Sequence, residues 1–165
     1  MWTAESVFVC ALALLGRSPQ SFPPTQFIET APLSVARTAA AYVSRDGDPH
    51  IVLITSTTAF VSARAARTPC SDLDAIREIA GVLAHEQWHI RHGADEEGAY
   101  DAQLTALLHL GVSQDSALYQ RVKRSRDAVL ATARRVSQTT VSAHDATSVL
   151  DNAASTMSLP SRNGR

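Results

Sequence analysis

The sequence predicts an α+β fold: a small mixed or antiparallel sheet packed on one long helix, with two or more helices after it. Three observations carry this expectation. His50-Ile51-Val52-Leu53-Ile54-Thr55 is β-branched and apolar on both faces, as a central strand is. Ile76, Ile79, Val82 and Leu83 recur at spacings of three and four and so line one face of a helix. Gly93 and Gly111 each stand just past a periodic stretch, where a left-handed residue ends a helix. With 165 residues, 45% of them hydrophobic, the chain has material for one compact core. A net charge of −1 gives no overall field toward nucleic acid or anionic lipid.

Taken in order, residues 1–21 open with an apolar run, Val7 to Leu15, that is too short to span a bilayer. Its length suits a signal-peptide core, but no Lys or Arg precedes it and Glu5 does, so a core helix and a signal-like segment both stay open. Export is favoured over the cytosol. Gly16 to Pro24 breaks this segment, and Phe22-Pro23-Pro24 leads into an extended stretch, Gln26 to Glu29. Residues 40–45 and 50–61 read as strands joined by the turn Asp46-Gly47-Asp48-Pro49.

The long helix is expected over residues 73–92. Ser71 and Asp74 have the spacing of a capping-box variant, and Asp72 adds negative charge where the helix dipole favours it. Gly81 inside this helix costs about 1 kcal/mol against Ala, and the expected return is a close neighbour. A second helix opens at Asp95-Glu96-Glu97 with Tyr100, Leu104, Leu107 and Leu108 as its apolar face. The short turn His92-Gly93-Ala94 folds it back beside the first. A third helix carries Leu118, Val122, Val129, Ala133 and Val136, and its Arg121, Lys123, Arg124 and Arg126 read as a solvated face, not a nucleic-acid site. Beyond residue 137 the chain turns to Ser, Thr, Ala and Asn. A partly mobile tail with a short helix near 143–153 is expected. The organisation is thus an apolar segment (1–21), a main domain (22–137) and a polar tail (138–165).

Within the long helix lies His85-Glu86-Gln87-Trp88-His89. Residues four apart stack on one helical face, so both imidazoles can reach a single ion while Glu86 sits beside its bound water. The composition makes a chance match uncommon, with an expectation of roughly 0.01 per chain. Catalytic zinc takes three protein ligands and leaves a fourth position for water. Asp95, Glu96 and Glu97, presented at the start of the second helix, are the candidates for the third. Acidic residues there also serve the helix dipole without any metal. Cys10 and Cys70 lack zinc-ligand spacing; they allow one disulfide in an exported protein or two small buried thiols in the cytosol.

His85-Glu86-Gln87-Trp88-His89, followed by Asp95-Glu96-Glu97-Gly98-Ala99-Tyr100-Asp101-Ala102-Gln103, resembles the HExxH plus (N/D)ExxAY pattern of small bacterial gluzincin-type metallopeptidases. The resemblance covers roughly residues 10–130, and only the two metal motifs within it are specific. It implies a zincin-like domain, one Zn2+, and hydrolysis of a peptide or protein substrate. His85, His89 and Glu96 would be the metal ligands, with Glu86 and Tyr100 catalytic. A metzincin-like HExxHxxGxxD reading would make Asp95 the ligand instead, but Gly93 falls one position late for it, which keeps Glu96 ahead.

In that chemistry Glu86 takes a proton from the attacking water and returns it to the leaving amine. Tyr100, His92, His109, Tyr119 and His144 are the groups available to stabilise the oxyanion, Tyr100 first by the motif match. Tyr100 equally fits a core-facing aromatic, and Gln103 fits a hydrogen-bond partner of a ligand imidazole. His50 and His109 are expected to be structural. The alternative function is an inactive zincin-like binding domain that keeps the helix pair without turnover. No stable membrane span is expected.

Overall fold

A computed structural model describes residues 1–36 and 39–154, with side chains described through residue 135. The chain divides into two compact units, Met1–Arg126 and Asp127–Arg165. In chain order the elements are α1 (Ala4–Leu14), β1 (Thr25–Ile28), β2 (Ala41–Ser44), β3 (His50–Ile54), α2 (Thr58–Ala65), α3 (Leu73–His92), α4 (Glu96–His109) and α5 (Ala117–Ala154). The fold is α+β. No described helix is long and apolar enough to cross a membrane.

The sheet is mixed, in the order β1-β3-β2, with β1 parallel and β2 antiparallel to the central β3. Ile51, Val52, Leu53 and Ile54 are all buried, which is why this strand reads as apolar on both faces. The strand expected to run to residue 61 stops at Ile54. Thr57 caps α2 instead, its hydroxyl accepting from the Phe60 N–H at 3.4 Å, and Phe60 turns into the core fully buried.

The first apolar run is a core helix: α1 buries Val7, Phe8, Cys10, Ala11 and Leu12 against α2 and α3. Phe8 meets Phe22 and Phe27 edge-on at 5.9 and 5.6 Å, joining α1 to the chain that enters β1. Cys10 and Cys70 form a disulfide across 60 residues, with Cys70 in the left-handed region at φ 61°. The bridge ties α1 to the loop that feeds α3.

The expected bounds of α3 hold, but its cap differs. Asp72 is the N-cap, its Oδ1 accepting from Ala75 N–H at 3.2 Å and its Oδ2 from the Ser62 hydroxyl at 2.5 Å, while the Ser71 hydroxyl bonds back to Thr68 O. An aspartate at this position reaches the third amide of the helix, so the neighbouring serine is not needed. In α4, Ala99, Gln103, Leu104 and Leu107 are buried while Leu108 is 39% exposed, so Leu108 leaves the apolar face it was expected to join. Ser116 caps α5 through the Tyr119 N–H, and the helix runs to Ala154 without the break expected near 137. Neither Gly nor Pro occurs between Gly111 and Pro160, so nothing in that stretch stops a helix once begun. The expected tail beyond Ala154 lies outside the described residues.

Closing a loop of this length restricts the unfolded chain by about 4 kcal/mol on the chain-entropy account. Paired Cys10→Ser and Cys70→Ser should lower the free energy of unfolding by up to that amount. Urea unfolding with and without reductant checks it, and wild type should shift on reduction while the double variant should not.

Candidate metal centre

His85 and His89 lie one turn apart on α3, and their rings meet at 4.8 Å between centroids with Nε2 to Nε2 at 3.1 Å. Gly93, at φ 76°, ends the helix and turns the chain back along it. Two residues later Asp95 caps α4, so Glu96 is the first residue of that helix. Its carboxylate stands 3.6 Å from His89 Nε2 and 3.8 Å from His85 Nε2. Three ligand-type side chains thus converge from two helices that a short turn holds antiparallel.

The three neighbouring carboxylates have separate partners. Asp95 accepts from Gly98 N–H at 3.0 Å and from the Trp88 indole at 3.1 Å, and these bonds hold its carboxyl below the usual carboxylate range. Glu97 faces away to Arg126, which also bonds Asp101 at 2.8 Å. Glu96 alone faces the imidazoles. This sorting depends on Gly98, because a Cβ there would collide with the Asp95 carboxylate and stand 2.5 Å from Trp88 Nε1.

The donor chemistry fits a divalent cation. His89 Nδ1 lies 2.7 Å from the Gly93 carbonyl, which only accepts, so Nδ1 carries the proton and Nε2 of the neutral ring presents a lone pair. Fixing one imidazole nitrogen by a backbone carbonyl is the usual support for a metal-ligating histidine. Three ligands on a tetrahedral zinc stand about 3.3 Å apart, given bonds near 2.0 to 2.1 Å. The two imidazole nitrogens stand 3.1 Å apart, one Glu96 oxygen lies 3.6 Å from His89 and the other 3.8 Å from His85, and with one ligand atom per residue all three lie within 4.8 Å of one another. Glu86 is not a member of the group, which among the described residues comprises these three side chains.

Burial dominates the electrostatics. Glu86 is 6% exposed, and loss of hydration, with the Glu96 charge adding to it, pushes its pKa up to about 8. Burial pushes His85 down to about 4, helped by His89 and opposed by the Gln103 side chain. His85 Nδ1 is buried with no hydrogen-bond partner within range. Tyr100 stands edge-on to His85 at 4.7 Å, and burial, then the charges of Glu96 and Glu86, raise its phenol. Its ring therefore shares this pocket as well as packing on Leu104 and Leu107.

The other candidate donors lie elsewhere. His92 stacks on Trp88 at 3.9 Å, Tyr119 packs with the Leu107 and Val122 cluster, and His50 bonds the Asp48 carbonyl at 2.9 Å. His109 lines a groove of about 500 Å³ with Arg17, Gln87, Trp88 and Asp101; none of His85, His89, Glu96 and Glu86 lines it. The side chain of His144 lies outside the described residues. Three contributors escaped the sequence reading. Arg45 donates to the His89 carbonyl at 3.0 Å and so ties the end of β2 to α3. Arg126 sorts Glu97 from Glu96, and Gly98 admits the Trp88 indole. Only Gly98 carried a signal, as a glycine inside a helical pattern. No family model, curated protein or solved structure matches the chain.

In the metal-free chain the two buried shifts oppose each other. Below its ordinary 6.5 the His85 ring takes a proton in the unfolded chain but not, until about 4, in the folded one, so acid favours unfolding there. Glu86 keeps its proton to about 8 when folded and releases it near 4.5 when unfolded, so rising pH favours unfolding across that span. From 6.5 to about 8 only the Glu86 effect remains. Thermal melts in chelator should show stability falling across that window, with a flatter slope for Glu86→Gln. A wild-type slope of opposite sign would contradict the burial account.

Proposed function

We propose that the chain is a zinc-dependent metallopeptidase of zincin-like architecture that cleaves peptide bonds with a metal-activated water. The observation that carries this reading is the convergence of His85, His89 and Glu96 beside a buried carboxyl that is not one of the ligands. A structural zinc is closed by four protein ligands, whereas three ligands and a free carboxylate suit a catalytic one. A zinc ion held there would lower the pKa of its water toward about 7 and polarise the scissile carbonyl.

The remaining work falls to the chain's own residues. Glu86 takes the proton of the attacking water and delivers it to the leaving nitrogen. Its buried setting favours the protonated form, and a nearby dication would pull its pKa back down and favour the carboxylate that accepts a proton. Tyr100, raised above its usual value, stays protonated and is the adjacent donor for the oxyanion. The Gly93 carbonyl holds the His89 ring in its orientation, and Arg45 fixes the end of the helix that carries it.

The purified protein should bind about one zinc per chain, and His85→Ala or His89→Ala should release it. Glu86→Gln should keep the zinc while abolishing hydrolysis of an unfolded protein substrate. Zinc loss by Glu86→Gln to the degree of His89→Ala would contradict its assigned role.

The three carboxylates give a second test. Asp95→Ala should cost about 1 kcal/mol of stability through the lost cap while zinc stays bound. Glu97→Ala should be mild in both respects, and Glu96→Ala should weaken zinc binding strongly. The largest loss at Asp95 would favour the metzincin-like arrangement.

A further inference from the structure

Gly81 stands one turn before His85 on the side of α3 that faces α4. Helical side chains lean toward the N-terminus, so the His85 ring overlies the turn to which Gly81 belongs. A Cβ on Gly81 would stand 3.1 Å from Leu107 Cδ2 and 3.4 Å from Gln103 Cγ. The space a side chain would fill there is therefore taken by Leu107, with the stem of Gln103 in contact beside it. On α4, Gln103 lies two turns beyond Glu96 and one beyond Tyr100, the ring that abuts His85. It is 7% exposed, one of three buried polar or charged side chains among the described residues, beside Thr55 and Glu86. Thr55 is satisfied by the Ile28 carbonyl. Gln103 favours the protonated His85 ring, and His85 Nδ1, buried on the facing helix, has no hydrogen-bond partner within range.

The geometry points to Gln103 as the positioning residue for His85: its amide oxygen accepts the Nδ1 proton when Nε2 faces the metal. This inference rests on the metal reading above. The two imidazoles then have matching supports, a backbone carbonyl for His89 and a side-chain amide for His85. With His89 Nε2 bearing a lone pair, the 3.1 Å approach of His85 Nε2 is favourable without metal only if that nitrogen carries the hydrogen. Nδ1 is then bare, and neither a donor nor an acceptor lies within hydrogen-bond range of it. Metal loading requires the other tautomer. The ring keeps one proton throughout; it leaves Nε2 and reappears on Nδ1, where Gln103 receives it as a hydrogen bond. Gly81 belongs to the same seam, since a Cβ there would press on Leu107 and stand against the Gln103 stem.

Gln103→Met keeps the length of the side chain and removes the acceptor, and Gln103→Glu keeps an acceptor. Zinc affinity from chelator competition should fall about 10- to 100-fold in Gln103→Met. It should stay within about tenfold of wild type in Gln103→Glu, which supplies the carboxylate often found behind a zinc-bound histidine. Melting of the metal-free protein should be unchanged or raised in Gln103→Met. Nitrogen-15 spectra of the zinc-loaded wild type should show His85 protonated at Nδ1. Equal zinc affinity in wild type and Gln103→Met overturns the inference and leaves the metal reading intact. Equal zinc losses in both variants with lowered melting also overturn it, showing a purely structural role. A wild type that binds no zinc removes both.

Discussion

The close approach of α3 and α4 is the constraint on which the candidate site rests. Two glycines permit it, Gly81 from one helix and Gly98 from the other, each standing where a side chain would press on the opposite helix. Gly81 costs α3 backbone order, and Gly98 does the same near the start of α4. The return is a seam narrow enough for a carboxylate at the first position of α4 to meet imidazoles near the end of α3. Widening it by the bulk of one methyl group would move Glu96 relative to both rings, because the helices are rigid rods joined by a short turn. Gly93 sets the direction of return and the Asp95 cap sets where α4 begins.

What fills that seam is poorly suited to a core without an ion. An imidazole with a bare nitrogen and a carboxyl stripped of water are each unfavourable, and they belong to adjacent residues, His85 and Glu86. The wider core is conventional, with Phe60, Leu12, Ile51, Leu53, Ile76, Leu83 and Leu107 fully buried. These two groups stand out in an otherwise apolar interior, and their burial costs stability.

Much of this was legible in the sequence, and what was not has physical causes. Period-three-and-four spacing with a following glycine located α3 to the residue, since both signals are local. β3 was readable as a central strand because burial on both faces leaves an unbroken apolar run. Its end was not, because Thr55-Ser56-Thr57 serves a strand and a helix cap equally well and only Phe60, by entering the core, decides between them. Leu108 was misplaced because the apolar side of α4 is defined by α3, and Gln103 takes a position there that hydropathy alone gives to leucine. The continuity of α5 is masked by its Ser and Thr content, which resembles that of a tail although no helix breaker is present. At the site, His85, His89 and the three carboxylates were visible from spacing, whereas Arg45 and Arg126 act across long sequence separations that no local pattern encodes.

The Cys10–Cys70 bridge bears on which parts of the molecule can open independently. Trp2 is already fastened to the end of α2, its backbone N–H and carbonyl pairing with Arg64 and its indole donating to the Ala66 carbonyl. With the bridge closed, α1 is held at its start through α2 and at its middle through the chain ahead of α3, so it cannot lift away as a unit. Opened by reductant, the second fastening is gone, and α1 is held only at its start and by its buried apolar face, while nothing changes in the α3–α4 pair. Slow amide exchange in α1 then reports the oxidation state of the protein, and exchange in α3 and α4 reports whether the paired helices are intact.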